Sequence, residues 1–142
     1  MFKTTAQLKG FFFDRKAVMD ATTKAERRVL SKQGAFLRKA FRNALRRRKK
    51  TSSPGQYPHV HSNDKYATLK NILYAYNPSR HSVYVGPVRL NTKHNVPQLL
   101  THGGTVHKRN GKTIHIRKRK MIKDKYEEVQ DKLTSMWKDS IG

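Results

Sequence analysis

The side chains able to do chemistry in this chain are mostly cationic. Its 142 residues include 32 Lys and Arg against 9 Asp and Glu, which gives a formal net charge of +23. The densest stretch is Arg38 to Lys50, where eight of 13 residues are basic and none is acidic. Such a stretch attracts polyanions and binds phosphates with release of counterions. Nucleic acid is the first candidate partner, an acidic protein surface the second and an anionic membrane the third.

Three basic segments are the candidate contacts for a polyanion or an acidic partner. They are Arg46, Arg47, Arg48, Lys49 and Lys50; Lys108, Arg109 and Lys112; and Arg117, Lys118, Arg119 and Lys120. No zinc finger, aromatic RNA-recognition signature or KH loop accompanies them. The pattern therefore predicts contact with a polyanion and does not predict the reading of a base sequence.

The sequence lacks the chemical groups that a catalytic site would need. General acid–base pairs and metal-dependent nucleases need clustered carboxylates, but Asp64 is the only acid between Glu26 and Asp124. No Gly-rich phosphate loop is present. The sequence therefore predicts that the chain is not an enzyme and uses no cofactor.

The histidines are the remaining candidates for a metal site or a nuclease site. A chain without cysteine has no thiolate metal site and no disulfide framework, and fits a reducing compartment. His59 and His61 have only Asp64 nearby to complete a metal site. His107 and His115 could form a ribonuclease pair, but exposed polar residues alternating along a hairpin explain them more simply. We therefore predict no catalytic and no metal-binding residues.

Apolar spacing predicts the elements that position these cations. Asp14 is a candidate N-cap, and apolar residues recur from there to Leu45 at helical intervals. This pattern predicts one long amphipathic helix, in which Gly34 marks a kink or a close helix crossing. A loop follows from Thr51 to about Lys65, rich in Ser, Pro, Gly, Asn and Asp.

Two hairpins and a terminal helix complete the chain. Strand-like residues 72–76 and 82–86 flank one turn, and residues 105–107 and 112–117 flank another at Asn110-Gly111, a pair that tolerates positive φ. A short helical turn at 97–101 lies between the hairpins, and a helix runs from Lys123 to about Asp139. We predict an α+β fold in which the long N-terminal amphipathic helix and the C-terminal helix pack on an antiparallel sheet of about four strands.

The chain is predicted to have an arm at 1–13 and a single domain at 14–142, with a basic loop around 46–65. The arm contains Phe2, Phe11, Phe12 and Phe13. These rings either pack on the helix that follows or anchor a neighbouring subunit, since aromatic residues are enriched in interface cores. We assign them to a subunit interface as the working prediction.

Hydropathy predicts a soluble, non-secreted protein. No apolar run is long enough to span a bilayer. Residues 1–5 lack the apolar stretch and small-residue cleavage site of a signal peptide.

The order of several motifs resembles a known family. A long basic helix leads into Ser53-Pro54-Gly55-Gln56-Tyr57-Pro58-His59-Val60-His61. Next come Leu69-Lys70-Asn71-Ile72, Ser82-Val83-Tyr84-Val85-Gly86-Pro87 and Val96-Pro97-Gln98-Leu99-Leu100-Thr101-His102-Gly103-Gly104-Thr105, and the chain closes on Leu133 to Ile141. Most of residues 14–141 is thereby similar to the neck and tail-completion proteins of tailed bacteriophages, a family typified by a minor tail component of lambdoid phages. Thr101 stands where that family usually has Glu, and Arg117–Met121 stands near its "A-R-P-F-M".

The resemblance implies a non-enzymatic virion protein, present in the host cytoplasm before assembly. Such proteins form homo-oligomeric rings between the portal–adaptor complex and the tail tube or tail terminator, and they line a channel through which DNA leaves. The cations would then dock on acidic neighbours and border DNA, with no membrane contact. The alternative, which depends on the net charge alone, is a sequence-independent nucleic-acid-binding protein.

Overall fold

The computed structural model describes residues 15–45, 50–60, 69–88, 95–138 and 140. Its elements are α1 (Arg15–Ala44), β1 (Ile72–Asn77), β2 (Ser82–Pro87), α2 (Val96–His102), β3 (Gly104–His107), β4 (Thr113–Ile116) and α3 (Ile122–Ser135). This order confirms the predicted α+β fold with its long first helix, two hairpins and terminal helix. The candidate N-cap Asp14 and the arm at 1–13 lie outside the described residues.

The four strands form two separate antiparallel sheets, β1–β2 and β3–β4, where the sequence predicted about four strands in one sheet. The backbone that follows β4 forms its hydrogen bonds with other segments. The Arg119 amide donates to Leu100 O at 2.8 Å, at the end of α2, and the Lys120 amide donates to Gln56 O at 3.1 Å. These bonds fasten the chain after β4 to α2 and to the loop at 50–60.

Gly34 marks a close approach of α1 to the first hairpin, where the sequence predicted a kink or a crossing of two helices. Helix α1 packs on β1, β2 and α3 and continues through Gly34. A Cβ built on Gly34 would lie 2.7 Å from Val83 Cγ2 and 2.9 Å from Tyr74 Cδ2. The glycine therefore lets the helix backbone approach the hairpin more closely than any other residue would.

The main core cluster joins segments that are distant in the sequence. It consists of Phe41, Leu45, Val60, Ile72 and Met121, all of them buried. Burying an apolar side chain of this size stabilises a fold by about 1.5–3 kcal/mol. The cluster therefore fastens the end of α1 to the loop at 50–60, to β1 and to the start of α3.

The second hairpin turns at Arg109-Asn110-Gly111, the segment that the sequence places between the two strands. The Lys108 amide donates to Lys112 O at 2.8 Å, and the Gly111 amide donates to Lys108 O at 3.0 Å, so the loop has three residues. Gly111 has φ +78°, whereas Asn110 has a negative φ and accepts the Lys112 amide on its side chain at 3.2 Å. This arrangement is the three-residue loop that ends on a left-handed glycine.

The short helix α2 is confirmed, with clear signals at both ends. Asn95 Oδ1 accepts the Gln98 amide at 3.3 Å, and the amide of Gly103, at φ +77°, donates to Leu99 O at 2.7 Å. Both are standard ways to satisfy free backbone groups at helix ends. Within the described part of the chain, no helix is long and apolar enough to cross a bilayer.

Candidate polyanion-binding surface

A continuous basic stripe runs along the side of α1 that faces away from the core. Its members are exposed cations on one side of the helix: Lys24, Arg28, Lys32, Lys39 and Arg42. At about 100° per residue these five positions fall within about 80° of one another, and at 1.5 Å per residue they span about 27 Å. That length corresponds to about eight base pairs of duplex DNA.

One acidic residue of α1, Glu26, lies between Lys24 and Arg42 in the sequence, but its side chain contacts the first hairpin. Glu26 Oε2 lies 3.0 Å from His81 Nδ1, in the turn of the first hairpin. His81 has φ +47°, and the turn is held by Asn77 Oδ1, which accepts the amides of Ser79 and Arg80. The hairpin thus holds Glu26 on the packed side of α1, and the basic stripe contains no acid between Lys24 and Arg42.

The basic stripe ends in an open cleft of about 420 Å³ at the last two turns of α1. Its lining includes four cations, Arg38, Lys39, Arg42 and Lys70. Arg38 is held in place because its Nε donates to Ile72 O at 2.7 Å, at the start of β1. The cleft combines side chains from α1 with one from the segment before β1, so it forms only when the hairpin packs on the helix.

The cleft is lined by side chains of the type that bind anions. Arginine offers a planar fork of donors that matches phosphate or carboxylate oxygens, and lysine adds a mobile point charge. Among the described residues that line the cleft, none is a carboxylate. The geometry therefore fits repeated anionic groups spaced along a backbone.

The predicted basic segments occupy several places in the fold. Arg46, Arg47, Arg48 and Lys49 lie outside the described residues, while Lys50 is exposed. Lys108, Arg109 and Lys112 are all exposed at the tip of the second hairpin. The base of this hairpin packs on α2, because a Cβ on Gly104 would lie 2.9 Å from Leu99 Cδ2. The hairpin tip is therefore a second exposed basic site.

The segment Arg117–Lys120 contains two exposed cations and two that contact other described residues. Arg117 and Lys118 are exposed. Arg119 Nη2 donates to Ser52 O at 3.0 Å and Nη1 donates to Arg117 O at 3.2 Å, so this guanidinium ties the loop at 50–60 to the chain before α3. Lys120 Nζ lies 3.5 Å from a Glu128 carboxylate oxygen. Two of the four predicted contacts therefore have a structural role.

A polar cluster fixes the same loop to α3. The Tyr57 hydroxyl donates to Glu128 Oε1 at 2.8 Å, and Lys125 Nζ donates to Glu128 Oε2 at 2.6 Å and lies 4.9 Å from the Tyr57 ring centroid. Partial burial, together with the bond to Glu128, raises the pKa of Tyr57 well above its ordinary value. The Lys125 and Tyr57 hydrogen bonds hold the pKa of Glu128 below its ordinary range.

His107 and His115 lie on the same face of the second hairpin, each beside a threonine. His107 Nδ1 is 3.1 Å from Thr113 Oγ1, and His115 Nδ1 is 3.1 Å from Thr105 Oγ1. Both histidines are exposed, as the simpler interpretation expected. Among the described residues, no three His, Asp or Glu side chains are grouped in a way that could hold a metal ion.

The basic stripe on α1 was missed as a site at the sequence level. The run at 46–50 has the higher local density of charge, whereas consecutive cations of the stripe are three to seven residues apart. All five cations lie opposite the apolar face of the helix, and a helical-wheel projection of the sequence shows this arrangement. The aromatic residues assigned to a subunit interface, Phe2 and Phe11–Phe13, lie outside the described residues.

Comparison with known proteins identifies no relative of this chain. No protein-family model, no curated protein and no solved structure matches this chain.

Proposed function

We propose that this chain is a structural virion protein that forms a ring at the head–tail junction of a tailed bacteriophage. In this role it joins the connector to the tail and borders the DNA exit channel. Its partners are further copies of itself, the portal or adaptor proteins on one side, and the tail tube or terminator proteins on the other. It acts by binding and assembly, without catalysis.

The observation that supports this proposal most is where the motif segments lie. The loop Ser53–Val60, the Val85–Pro87 end of β2 and the Leu100 turn of α2 all contribute to, or pack on, the cluster that contains Phe41 and Met121. Hydrogen bonds from Gly55 to Lys118 O and from Arg119 to Leu100 O join them further. Segments whose order resembles the family thus build one core, as a shared fold requires.

The distribution of charge fits an assembly role. The motif segments form the core, while the basic stripe and the tip of the second hairpin stay exposed, so the cations are available to acidic subunits or DNA. A net charge of +23 also opposes self-association at low salt. A ring of this protein would therefore be stabilised by the anionic neighbours that neutralise it.

Genetic deletion tests the proposal. Phage lacking the gene are expected to accumulate unjoined heads and tails, and purified wild-type particles are expected to contain the protein. Replacing Arg46–Lys50 with serine should impair joining while the domain stays folded. A matched control replaces five exposed cations outside the candidate sites, namely Lys16, Arg80, Lys123, Lys132 and Lys138, and should join better than the Arg46–Lys50 variant. Particles without the protein, or normal joining after deletion, would refute the role.

A second candidate function is sequence-independent binding of nucleic acid, which the length and uninterrupted charge of the basic stripe favour. Each phosphate neutralised on duplex DNA contributes about −0.9 to the slope of log K against log salt. Replacing Lys24, Lys32 and Lys39 with glutamine should therefore make the slope shallower by about 2.7. Replacing Lys123, Lys132 and Lys138, which removes equal charge from the α3 region, should change the slope less. DNA binding without salt dependence would exclude this function.

A further inference from the structure

The first hairpin has an exposed apolar side. Side chains alternate along its strands, so Tyr74 and Val83 meet α1 while Leu73 and Tyr84 point away. We define the outer face as Leu73, Ala75, Tyr84, Gly86 and Val88. Leu73, Tyr84 and Val88 are 59%, 51% and 40% exposed. No described residue covers this face.

The outer face is shaped to receive rings. Leu73 lies opposite Gly86, and Tyr84 lies opposite Ala75, so each large side chain has a small one across the strand pair. A Cβ added at Gly86 would meet no atom within 4 Å. The result is a pair of shallow recesses, each flanked by one large side chain, against which an aromatic ring can stack.

The start of α1 extends beyond the rest of the domain. Residues 16–24 are all exposed, and Ala25 is the first buried position. Val18 and Met19 are 61% and 59% exposed, although they continue an apolar pattern. This projecting end, residues 15–24, adds about 15 Å of helix beyond the packed part of α1. In the sequence only Asp14 separates it from Phe11–Phe13.

These three aromatic residues cannot reach the outer face of their own chain. The hairpin lies along α1 between Arg27, whose guanidinium is over the Tyr76 ring, and Gly34, which meets Tyr74. That stretch is about 18–28 Å from Arg15 along the helix. Phe11 is four residues before Arg15, so its Cα lies at most about 14 Å from that of Arg15 when the chain is fully extended. The outer face also points away from α1, which lengthens the path.

We infer that the outer face binds the Phe11–Phe13 segment of a second copy of this chain. Three phenylalanine rings bury about 450–750 Å², which approaches the roughly 800 Å² per partner of a standard interface. The contact joins two different patches, so it repeats head to tail and closes a ring where the rotation allows. The inference rests on the self-association in the proposed function and identifies the surfaces that make it.

Disulfide cross-linking tests the contact in the full chain, which has no cysteine of its own. Gly10→Cys combined with Ala75→Cys leaves every aromatic residue in place. Oxidation should give a ladder of dimers, trimers and larger species. Gly10→Cys with Gln130→Cys, an exposed position on α3, should give at least tenfold less. A monomer with an internal disulfide, or no cross-linking, would overturn the inference.

Blocking variants separate this inference from the proposed function. Gly86→Glu places a charge in open space on the outer face and should reduce cross-linking at least tenfold, with an unchanged circular dichroism spectrum. Tyr126→Glu, at an exposed tyrosine on α3, should not reduce cross-linking. Cross-linking that survives Gly86→Glu and Tyr84→Glu together overturns the inference. A chain that cross-links as expected but is absent from phage particles refutes the proposed function and leaves this contact in place.

Discussion

The close crossing at Gly34 leads to a prediction about stability. In Gly34→Ala, the new Cβ would lie 2.7 Å from Val83 Cγ2 and 2.9 Å from Tyr74 Cδ2. Both distances are well below the usual 3.5–4.0 Å separation of carbon atoms. Val83 is β-branched and restricted at χ1, so it cannot yield easily. We expect α1 and the hairpin to move apart.

The expected magnitude follows from two opposing effects. Alanine favours the helix by about 1 kcal/mol relative to glycine. Overpacking at a tight contact costs about 1–3 kcal/mol. The net change is a loss of about 1 kcal/mol in the free energy of unfolding, which corresponds to a fall in Tm of about 4 °C for a domain of this size.

A double-mutant cycle in urea denaturation checks the cause of this loss. Val83→Ala removes the closest atom and should be destabilising alone, but in combination with Gly34→Ala the added methyl group gains room. We expect the two changes to be non-additive by about 1 kcal/mol, with the double variant more stable than the sum predicts. If Gly34→Ala instead raises stability by about 1 kcal/mol, and the two changes add, the hairpin does not press on the helix and the reasoning fails.

Two other predictions concern the loop anchor and the second hairpin. Tyr57→Phe should cost about 1 kcal/mol at pH 7. Because the pKa of Tyr57 is raised on folding, the contribution of its hydroxyl to the free energy of unfolding is complete below pH 10 and falls as the pH rises further. Urea unfolding at pH 7 and 10.5 should therefore show a smaller advantage of the wild type over Tyr57→Phe at the higher pH. Gly111→Ala should destabilise by about 1–2 kcal/mol through its positive φ, whereas Gly86→Ala, at another open position without positive φ, should change thermal stability little.

Much of the architecture could be predicted because it depends on local patterns. The apolar period of α1, the turn residues around β1–β2 and the Gly-Gly end of α2 are short-range signals, and each appears in the structure near its predicted position. The basic character of the candidate surface also follows from composition. The stripe itself was available to the same reasoning, because the arrangement of cations on a helix depends only on their spacing.

Other features could not be predicted because they depend on contacts between distant segments. Arg119 belongs to the most basic part of the C-terminal half, yet its partner is Ser52, 67 residues away. Tyr57 meets Glu128 across 71 residues, and Gln33 donates to Leu133 O across 100. Local spacing contains no information about such pairings. They decide which cations remain free and which hold the fold together.

The sequence by itself therefore determined the fold class, the long basic helix and the strongly positive net charge, because periodicity and charge are properties of the chain. The tertiary structure alone decided that the hairpins are separate sheets, that Gly34 faces a hairpin, and that the described residues leave one apolar side of that hairpin exposed. The physical reason is that packing assigns each polar or apolar group a particular neighbour, and these neighbours come from segments tens of residues apart.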